Sequence, residues 1–289
     1  MKSLFVKMYI YLRKLLIGSG IGKFRIINIV NNFLLSYMKK DYVIIFGNKM
    51  FLDKYDALEL SLNKIYEPEE TKLIKNLVKK GDVVLDIGAH VGYYTLILAD
   101  LVGVNGKVFA FEADKSNFEL LKKNVEINNC NNVIVENLAI TDKVGQIKLF
   151  DVGESSNLTV SDTGNIKFTN VNSISLDEYF KDYNGKIDFI KMDIEGAEYS
   201  VLVGSDKLLN RNKDIKIISE FYPFALNLAS VSPKDYLNLL VVVHNFKIYI
   251  IDEEHKVVSL TNLSVLLQNY NIDNRKITNL FCTKNEVNL

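Results

Sequence analysis

The sequence has 289 residues, of which 48% are hydrophobic and 24% charged, enough to bury one substantial core. Its 2 cysteines are far apart and its 3 histidines match no ligand motif, which excludes a disulfide framework and a thiolate or histidine zinc site. The formal net charge of zero hides a segregation: residues 1–40 hold eight basic and no acidic residues, and the remaining 27 basic and 35 acidic residues give −8.

Residues 1–40 predict one or two helices that are broken at Gly18–Gly20. Lys7, Arg13 and Lys14 interrupt the first apolar run, so it is too short to span a bilayer, and no small-residue cleavage site follows. We therefore expect a cytoplasmic protein that does not span a membrane. A basic helix of this kind can make a peripheral membrane contact, or it can pack on its own domain with its lysines in solvent.

The next segment, residues 42–52, predicts a hairpin that turns at Gly47–Asn48. Together with the helices it would form an N-terminal extension over residues 1–65, followed by one domain over residues 66–289. That domain opens with a helix that begins at Pro68 and ends at Gly81, because a proline favours the first helical turn and a glycine its end.

Strands and helices then alternate along the chain. The predicted order is VVLDIGA, a helix over 92–102, KVFAFEA, a helix over 115–128, and VIVENLA. Extra short strands are predicted at about 143–173, followed by the strands IDFIKMDIEG and IKIISEF, a helix from Ser232, and the closing strands FKIYII and ITNLFCT. This alternation indicates a mostly parallel sheet with helices on both faces and an antiparallel edge.

Ligands of such sheets bind beyond the carboxyl ends of the strands, where the first strand is followed by the pattern D-x-G-x-x-x-G. A dinucleotide turn would have G-x-G-x-x-G, with a pyrophosphate at the helix N-terminus. S-adenosylmethionine has no phosphate but carries a sulfonium and an ammonium, so it favours a close backbone approach and an acid, here Asp86. A tight turn alone would also explain Gly88 and Gly92.

The second and third strands end in further polar residues. Glu112 lies 24 residues after Gly88, near the offset at which a carboxylate accepts both ribose hydroxyls of a nucleoside, in NAD or in S-adenosylmethionine. Asn137 and Ala139 follow the third strand, where an adenine edge would lie. Asn137 could equally cap the turn.

Three acids within six residues, Asp193, Glu195 and Glu198, follow the fourth strand. Unpaired buried charge is costly, so either a function or a salt-bridge network must explain them. Glu195 and Glu198 can simply favour the dipole of the next helix. Asp193 is the functional candidate, with Lys191 as its structural partner, and Glu220 at the end of the fifth strand faces the same crevice.

Seven stretches carry a resemblance to a known family: IYEPEE, VVLDIGAHVGYYT, VFAFEAD, NLAITD, SISLDEY, FIKMDIEGAEYSVLVGS and SEFYP. In order and spacing, over residues 42–225, the chain resembles the FkbM-type S-adenosylmethionine-dependent methyltransferases. The resemblance implies a Rossmann-like class I methyltransferase fold with a mostly parallel seven-stranded sheet. It also implies O-methylation of a hydroxyl on a sugar, glycan, glycolipid or other secondary metabolite.

The resemblance also implies roles for particular residues. The candidate cofactor-binding residues are Asp86, Gly88, His90, Gly92, Tyr93, Glu112, Asn137 and Ala139. His90 stands where many members have asparagine, so a hydrogen-bonding role is expected of it and not a catalytic one. Asp193 would lie between cofactor and acceptor and is the first candidate base, with Glu220 second. No metal-ligand set is assigned, although a carboxylate-bound divalent cation could also acidify the acceptor hydroxyl.

Three other functions were weighed against this one. An RNA or other nucleic-acid methyltransferase is disfavoured, because DIEG replaces the Asn/Asp-Pro-Pro element of base-amine enzymes and the core is acidic. No nucleic-acid partner is therefore expected. A nicotinamide oxidoreductase is disfavoured by the missing glycine of the dinucleotide turn. A membrane-associated module that binds cofactor without turnover remains an alternative.

Overall fold

The structure is a computed structural model, and it describes residues 40–63, 65–151, 156–157 and 167–287. The predicted helices around Gly18–Gly20 and the membrane contact of residues 1–40 lie outside the described residues, except for Lys40. The chain divides into two compact units, Met1–Tyr66 and Glu67–Leu289. Within the described ranges, no helix is both long and apolar enough to cross a membrane.

The described part of the first unit is a hairpin followed by a short helix. Strands β1 (Tyr42–Ile45) and β2 (Asn48–Phe51) pair antiparallel, and helix α1 is Leu60–Asn63. The predicted turn at Gly47–Asn48 is wrong by one residue, because Asn48 pairs with Ile45 and the turn is Phe46–Gly47. Both turn residues have a positive φ, 47° and 96°, as a two-residue hairpin turn requires, and glycine takes its second position.

The second unit contains the strands of two sheets. They are β3 (Val83–Ile87), β4 (Lys107–Phe111), β5 (Val133–Glu136), β6 (Ala139–Ile140), β7 (Gly145–Asp151), β8 (Ser156–Asn157), β9 (Phe168–Ile174), β10 (Phe189–Met192), β11 (Lys216–Phe221), β12 (Lys247–Asp252), β13 (Val257–Leu260) and β14 (Thr278–Thr283). The larger sheet has eight strands in the order β13-β12-β14-β11-β10-β3-β4-β5.

The strands from β11 to β5 in this order are parallel, and β14 runs antiparallel to both β11 and β12. The predicted fold class is confirmed, with the antiparallel edge at the closing strands. The predicted count of seven strands is wrong by one, because β13 adds an antiparallel eighth strand at the edge. Its four residues VVSL are mostly exposed, so they lack the apolar run by which buried strands are recognised.

The helices of the second unit follow the strands. They are α2 (Pro68–Leu77), α3 (Tyr93–Val102), α4 (Lys115–Ile127), α5 (Leu176–Tyr179), α6 (Glu198–Val203), α7 (Asp206–Arg211), α8 (Pro223–Leu228), α9 (Pro233–Asn238) and α10 (Leu263–Asn269), with a π-helical turn at Leu239–Val243. Both faces of the sheet are covered: Phe109 and Phe111 pack in the large core, whereas Ala110 between them packs with Leu121 and Val125 of α4.

A separate four-stranded sheet, in the order β6-β9-β7-β8, stands where short inserted strands were predicted. Ala139, which was predicted to follow the third strand of the main sheet, belongs to this second sheet, where it pairs with Ser173 and is 2% exposed. The chain leaves the main sheet after Glu136, where the next side chain, Asn137, donates to the carbonyls of Glu112 and Ala113.

Candidate functional site

The turn after β3 approaches the end of β10 very closely at Gly88. A Cβ atom on this residue would lie 2.0 Å from the Asp193 carbonyl oxygen. The φ of Gly88 is +81°, a value that residues other than glycine rarely adopt. The backbone N–H groups of Gly88 and Ala89 both donate to the carbonyl of Phe111 at the end of β4, at 3.0 Å. The glycine is therefore required for contact between strand ends, so three neighbouring strands meet at this turn.

Asp86 lies inside β3 and is 2% exposed. Its carboxylate accepts a hydrogen bond from the Thr95 hydroxyl of α3. Burial raises the pKa of Asp86 to about 6, against the lowering effects of Thr95 and the Lys191 ammonium. The structure thus places this predicted cofactor acid below the turn, within the sheet.

Tyr93 also points into the protein, since it is 2% exposed and its hydroxyl lies 3.1 Å from the Thr71 hydroxyl of α2. Gly92 caps the N-terminus of α3 with a φ of 96°. A Cβ there would come within 2.8 Å of a Leu121 methyl group, so this glycine allows α3 to pack on α4. Both predicted cofactor residues have a structural contact of their own.

Glu112 links the turns that follow β3 and β4. Its carboxylate accepts from the backbone N–H groups of His90 and Asp114, each at 2.8 Å. Burial raises the pKa of Glu112 to about 7, although both backbone donors act in the opposite direction. A carboxylate can accept about four hydrogen bonds, so two protein donors leave capacity for the paired hydroxyls of a ribose. His90 reaches Glu112 with a φ of 49°, and it does so through its backbone.

At the end of β10, Asp193 and Lys191 form the predicted pair, which is confirmed at 3.3 Å between Nζ and Oδ2. The Lys191 side chain is 1% exposed and that of Asp193 is 29% exposed. Lys191 also lies 3.2 Å from Oε1 of Glu70, which is completely buried. Asp193 is therefore the solvent-facing member of a buried ionic cluster.

The other two acids of this loop behave differently. Glu198, the first residue of α6, folds back and accepts from the backbone N–H groups of Ile194 and Gly196 at 3.1 and 2.8 Å. Burial raises the pKa of Glu198 to about 7. Glu198 lies in the first turn of the helix, as predicted, and its carboxylate shapes the loop before it. The prediction that Glu195 also lies in the first turn is wrong, because Glu195 precedes the helix with a left-handed φ of 50°.

Glu220 lies in β11, beside the acids that follow β10. Its Oε2 atom is buried, and no group among the described residues donates a hydrogen bond to it. Burial raises the pKa of Glu220 well above its usual value, and the charges of Asp193, Glu198 and Glu195 raise it further. Asp193 and Glu220 thus share one acidic crevice, in which Oε2 of Glu220 could accept or donate a further hydrogen bond.

Two further acids that the sequence did not single out lie at the start of α2, the helix that carries Glu70. Glu67 accepts from the Tyr94 hydroxyl at 2.9 Å and from the Asn279 amide at 2.8 Å. Glu253, in the loop between β12 and β13, accepts from the backbone N–H groups of Glu69 and Glu70 at the start of α2. The YEPEE stretch predicted the start of a helix. No pattern in the sequence indicated which distant residues its acids would contact.

The structure therefore brings together Gly88, His90, Glu112, Asp193 and Glu220 at or beside the carboxyl ends of adjacent strands. Asp86 and Tyr93 are buried beneath them, and Ala139 lies in the second sheet. Of the part of the chain that the structure describes, no group of three or more His, Cys, Asp or Glu residues is arranged to hold a metal ion.

The family model for the Methyltransferase FkbM domain matches residues 86–273 of this sequence. The chain belongs to the FkbM methyltransferase family, and it is an S-adenosylmethionine-dependent methyltransferase. The site fits this cofactor on its donor set, because Glu112 can accept ribose hydroxyls and the acidic crevice complements a sulfonium and an ammonium. The residues that would hold it are those at the ends of β3 and β4.

Similarity to individual proteins is more distant. Over 51 residues the chain is 47% identical to a Sulfurisphaera tokodaii protein named "Probable cobalt-precorrin-6B C(15)-methyltransferase (decarboxylating)"; the match covers 18% of this chain and 27% of that relative. Methyltransferase FkbM from Methylobacillus flagellatus KT is 16% identical with a TM-score of 0.45, covering 79% of this chain and 53% of its own. A SAM-dependent methyltransferase from Aquifex aeolicus is 14% identical with a TM-score of 0.42, covering 75% and 89%.

Proposed function

We propose that this methyltransferase transfers the methyl group to a hydroxyl oxygen of a sugar, glycan, glycolipid or other small molecule. S-adenosylmethionine supplies an electrophilic methyl group on its sulfonium, so the protein has to hold the acceptor oxygen in line and remove its proton. The observation that carries the proposal is the pairing, in one crevice, of the half-exposed Asp193 carboxylate with the unpartnered buried oxygen of Glu220.

The two acids have complementary roles. Burial and neighbouring acids raise the pKa of Glu220, which favours its protonated form, and a protonated carboxyl is a hydrogen-bond donor. Asp193 contacts the Lys191 ammonium, and a nearby cation favours a carboxylate, which can accept a proton. Glu220 would thus donate to the acceptor oxygen while Asp193 takes its proton.

This pairing suits an oxygen better than a nitrogen. A hydroxyl oxygen has two lone pairs, so it can accept from Glu220 with one and attack the methyl group with the other. A neutral amine has a single lone pair, which the attack requires. The acidic crevice also repels a phosphate backbone, which favours a glycan or small-molecule acceptor over RNA.

The acceptor class is tested by incubating the protein with methyl-labelled S-adenosylmethionine and host-cell extract separated into polysaccharide, lipid, RNA and protein fractions. We expect label in a carbohydrate-containing fraction, as a methyl ether that resists alkaline hydrolysis. Nuclease-sensitive label, or an alkali-labile methyl ester, would contradict the proposal. Cofactor binding without label in any fraction would favour the binding module without turnover.

The assignment of the two acids is tested with the matched variants Asp193→Asn and Glu220→Gln in the labelled fraction. Asp193→Asn removes the base, so turnover should fall by roughly 100-fold or more. Glu220→Gln keeps a donor in place, so most of the activity should remain. S-adenosylhomocysteine has no sulfonium charge for these acids to contact, and the ends of β3 and β4 are unchanged, so calorimetry with this ligand should give wild-type affinity for both variants. Unchanged turnover in Asp193→Asn would remove Asp193 from the role of base.

We also propose a cytoplasmic location. Both cysteines, Cys130 and Cys282, are free, as expected in a reducing compartment. The peripheral membrane contact through residues 1–40 stays a hypothesis that a lipid-linked acceptor would make useful, because a basic segment is drawn to anionic lipid. Sedimentation of the full chain with vesicles of anionic and of neutral lipid would test it.

A further inference from the structure

Lys191 lies within the central strand β10, directly opposite Asp86 of β3, which is an unusual place for a lysine. Its ammonium lies 3.2 Å from Glu70, 3.3 Å from Asp193 and 4.9 Å from the centre of the Tyr94 ring. With 1% of the side chain exposed, water cannot replace these contacts. The lysine is therefore fixed between a completely buried acid and the acid of the crevice.

The buried acid is itself held in place from several directions. Glu70 lies in the first turn of α2, whose free N–H groups are capped by the Glu253 carboxylate at 2.8 and 3.0 Å. Glu67, just before this helix, is bound by Tyr94 and Asn279. The position of Glu70, and hence of Lys191, is consequently set by contacts with α3, β14 and the loop after β12.

Stability alone is a poor explanation for this cluster. Burying charged groups costs several kcal/mol each, and replacing a buried ion pair by apolar residues is often neutral or stabilising. A lysine here does have one effect that an apolar residue lacks, which is to hold a cation against one oxygen of Asp193. That contact uses Oδ2 and leaves Oδ1 for another partner.

We propose that Lys191, held by Glu70, is a positioning residue that orients the Asp193 carboxylate toward the acceptor hydroxyl. This inference rests on the proposed role of Asp193 as the base. Lys191 does not touch the acceptor in this scheme, since it acts through Asp193. The helix α2 thereby becomes part of the catalytic apparatus, although none of its residues enters the proton transfer.

Several groups face the Lys191 ammonium and contribute to its effect. They are Glu67 and Glu70 of α2, Asp86 of β3, the Tyr94 ring of α3, Asp193 at the end of its own strand, and Glu220 of β11. Burial raises the pKa of Glu70 to about 8, and the Lys191 ammonium acts in the opposite direction.

The test is to follow the Asp193 carboxyl carbon by NMR, in full-length protein labelled with ¹³C at aspartate and saturated with S-adenosylhomocysteine, using Asp193→Asn to identify the signal. In Lys191→Met the signal, recorded at one fixed pH, should move and broaden, because the carboxylate has lost the ammonium that holds its Oδ2 atom in one orientation. A lysine that does not orient Asp193 would leave the signal sharp and at its wild-type position. No acceptor is needed, so this result is independent of the turnover assay.

Lys186→Met is the matched control, because Lys186 and Asp188 have the same spacing and a 2.8 Å contact at the other end of β10. It should leave the Asp193 signal unchanged. If Lys191→Met fails to fold, the double variant Glu70→Gln/Lys191→Met removes the buried acid together with its cation and carries the same expectation. An Asp193 signal as sharp as that of the wild type and at the same position in the folded variant would overturn the inference, whereas full turnover in Asp193→Asn would overturn only the role of Asp193.

Discussion

At the level of single residues, Gly88 decides how closely two strand ends can approach. The space that a side chain would need is already filled by the backbone of Asp193, the residue proposed to take the proton. The geometry between the cofactor turn and the base is thus fixed by backbone contact, which is stiffer than a contact between side chains.

Gly88→Ala should therefore destabilise the fold more than a positive φ alone explains. Gly81→Ala is the matched control, because Gly81 has a φ of +90° with nothing within 4 Å of its Cβ position. The left-handed backbone costs about 1 kcal/mol in both variants. The collision with the Asp193 carbonyl should add about 1–3 kcal/mol in Gly88→Ala. Urea unfolding of the two variants measures the difference, and equal losses would show that the strand ends move apart easily.

The sequence located the polar residues of the crevice but not their surroundings. Strand ends could be predicted from apolar runs, which placed Gly88, Glu112 and Asp193 correctly along the chain. Burial could not be predicted, and neither could the hydrogen bond that the Asp86 carboxylate accepts from Thr95 inside the protein. Of the two acids that contact Lys191, Asp193 could be predicted because it is two residues away. Glu70 could not, because it lies on a helix that is distant in sequence.

At the level of elements, the parallel strands and their helices were predictable because each has its own periodicity. The helix over 92–102 corresponds to α3, Tyr93–Val102, and the helix over 115–128 to α4, Lys115–Ile127. Two features were not predicted correctly. They are the exposed edge strand β13 and the break between β5 and β6. In both, contacts with distant parts of the chain decide the local structure.

The N-terminus of α2 offers a test of such a distant contact. Glu253→Ala removes the carboxylate that accepts from the N–H groups of Glu69 and Glu70, and losing a helix cap costs about 1 kcal/mol. The neighbouring Glu254 is exposed, so Glu254→Ala should change stability by less than about 0.5 kcal/mol. Chemical unfolding of both variants provides the comparison. Equal stabilities would mean that α2 is held without this cap.

At the scale of the whole molecule, the second unit buries acids around a single crevice. Burial raises the pKa of each: Asp86 to about 6, Glu112 and Glu198 to about 7, and Glu70 to about 8. Such a site is unfavourable in the free protein at neutral pH, and binding a cationic methyl donor would relieve part of the repulsion. If the proposed site is correct, we expect cofactor binding to stabilise the fold most at the pH values where these carboxylates are ionised.

This arrangement predicts the sign of the dependence of stability on pH. Because the folded-state pKa values exceed those of the unfolded chain, the folded protein binds more protons between about pH 4.5 and pH 8. The free energy of unfolding should consequently fall as the pH rises through this window, by at least about 2 kcal/mol, since one pKa unit corresponds to about 1.4 kcal/mol. Urea unfolding in matched buffers from pH 4.5 to pH 8, without cofactor, measures the slope.

Two variants show whether the buried acids cause that slope. Asp86→Asn keeps an acceptor for the Thr95 hydroxyl but cannot ionise, so its stability should depend less on pH between about pH 4 and pH 6. Glu119→Gln removes an exposed acid that pairs with Lys115, and it should keep the wild-type slope. A stability that is flat or rises toward pH 8 in the wild type would mean that water or local rearrangement keeps these carboxylates ionised, and the link between the crevice and a cationic ligand would lose its physical basis.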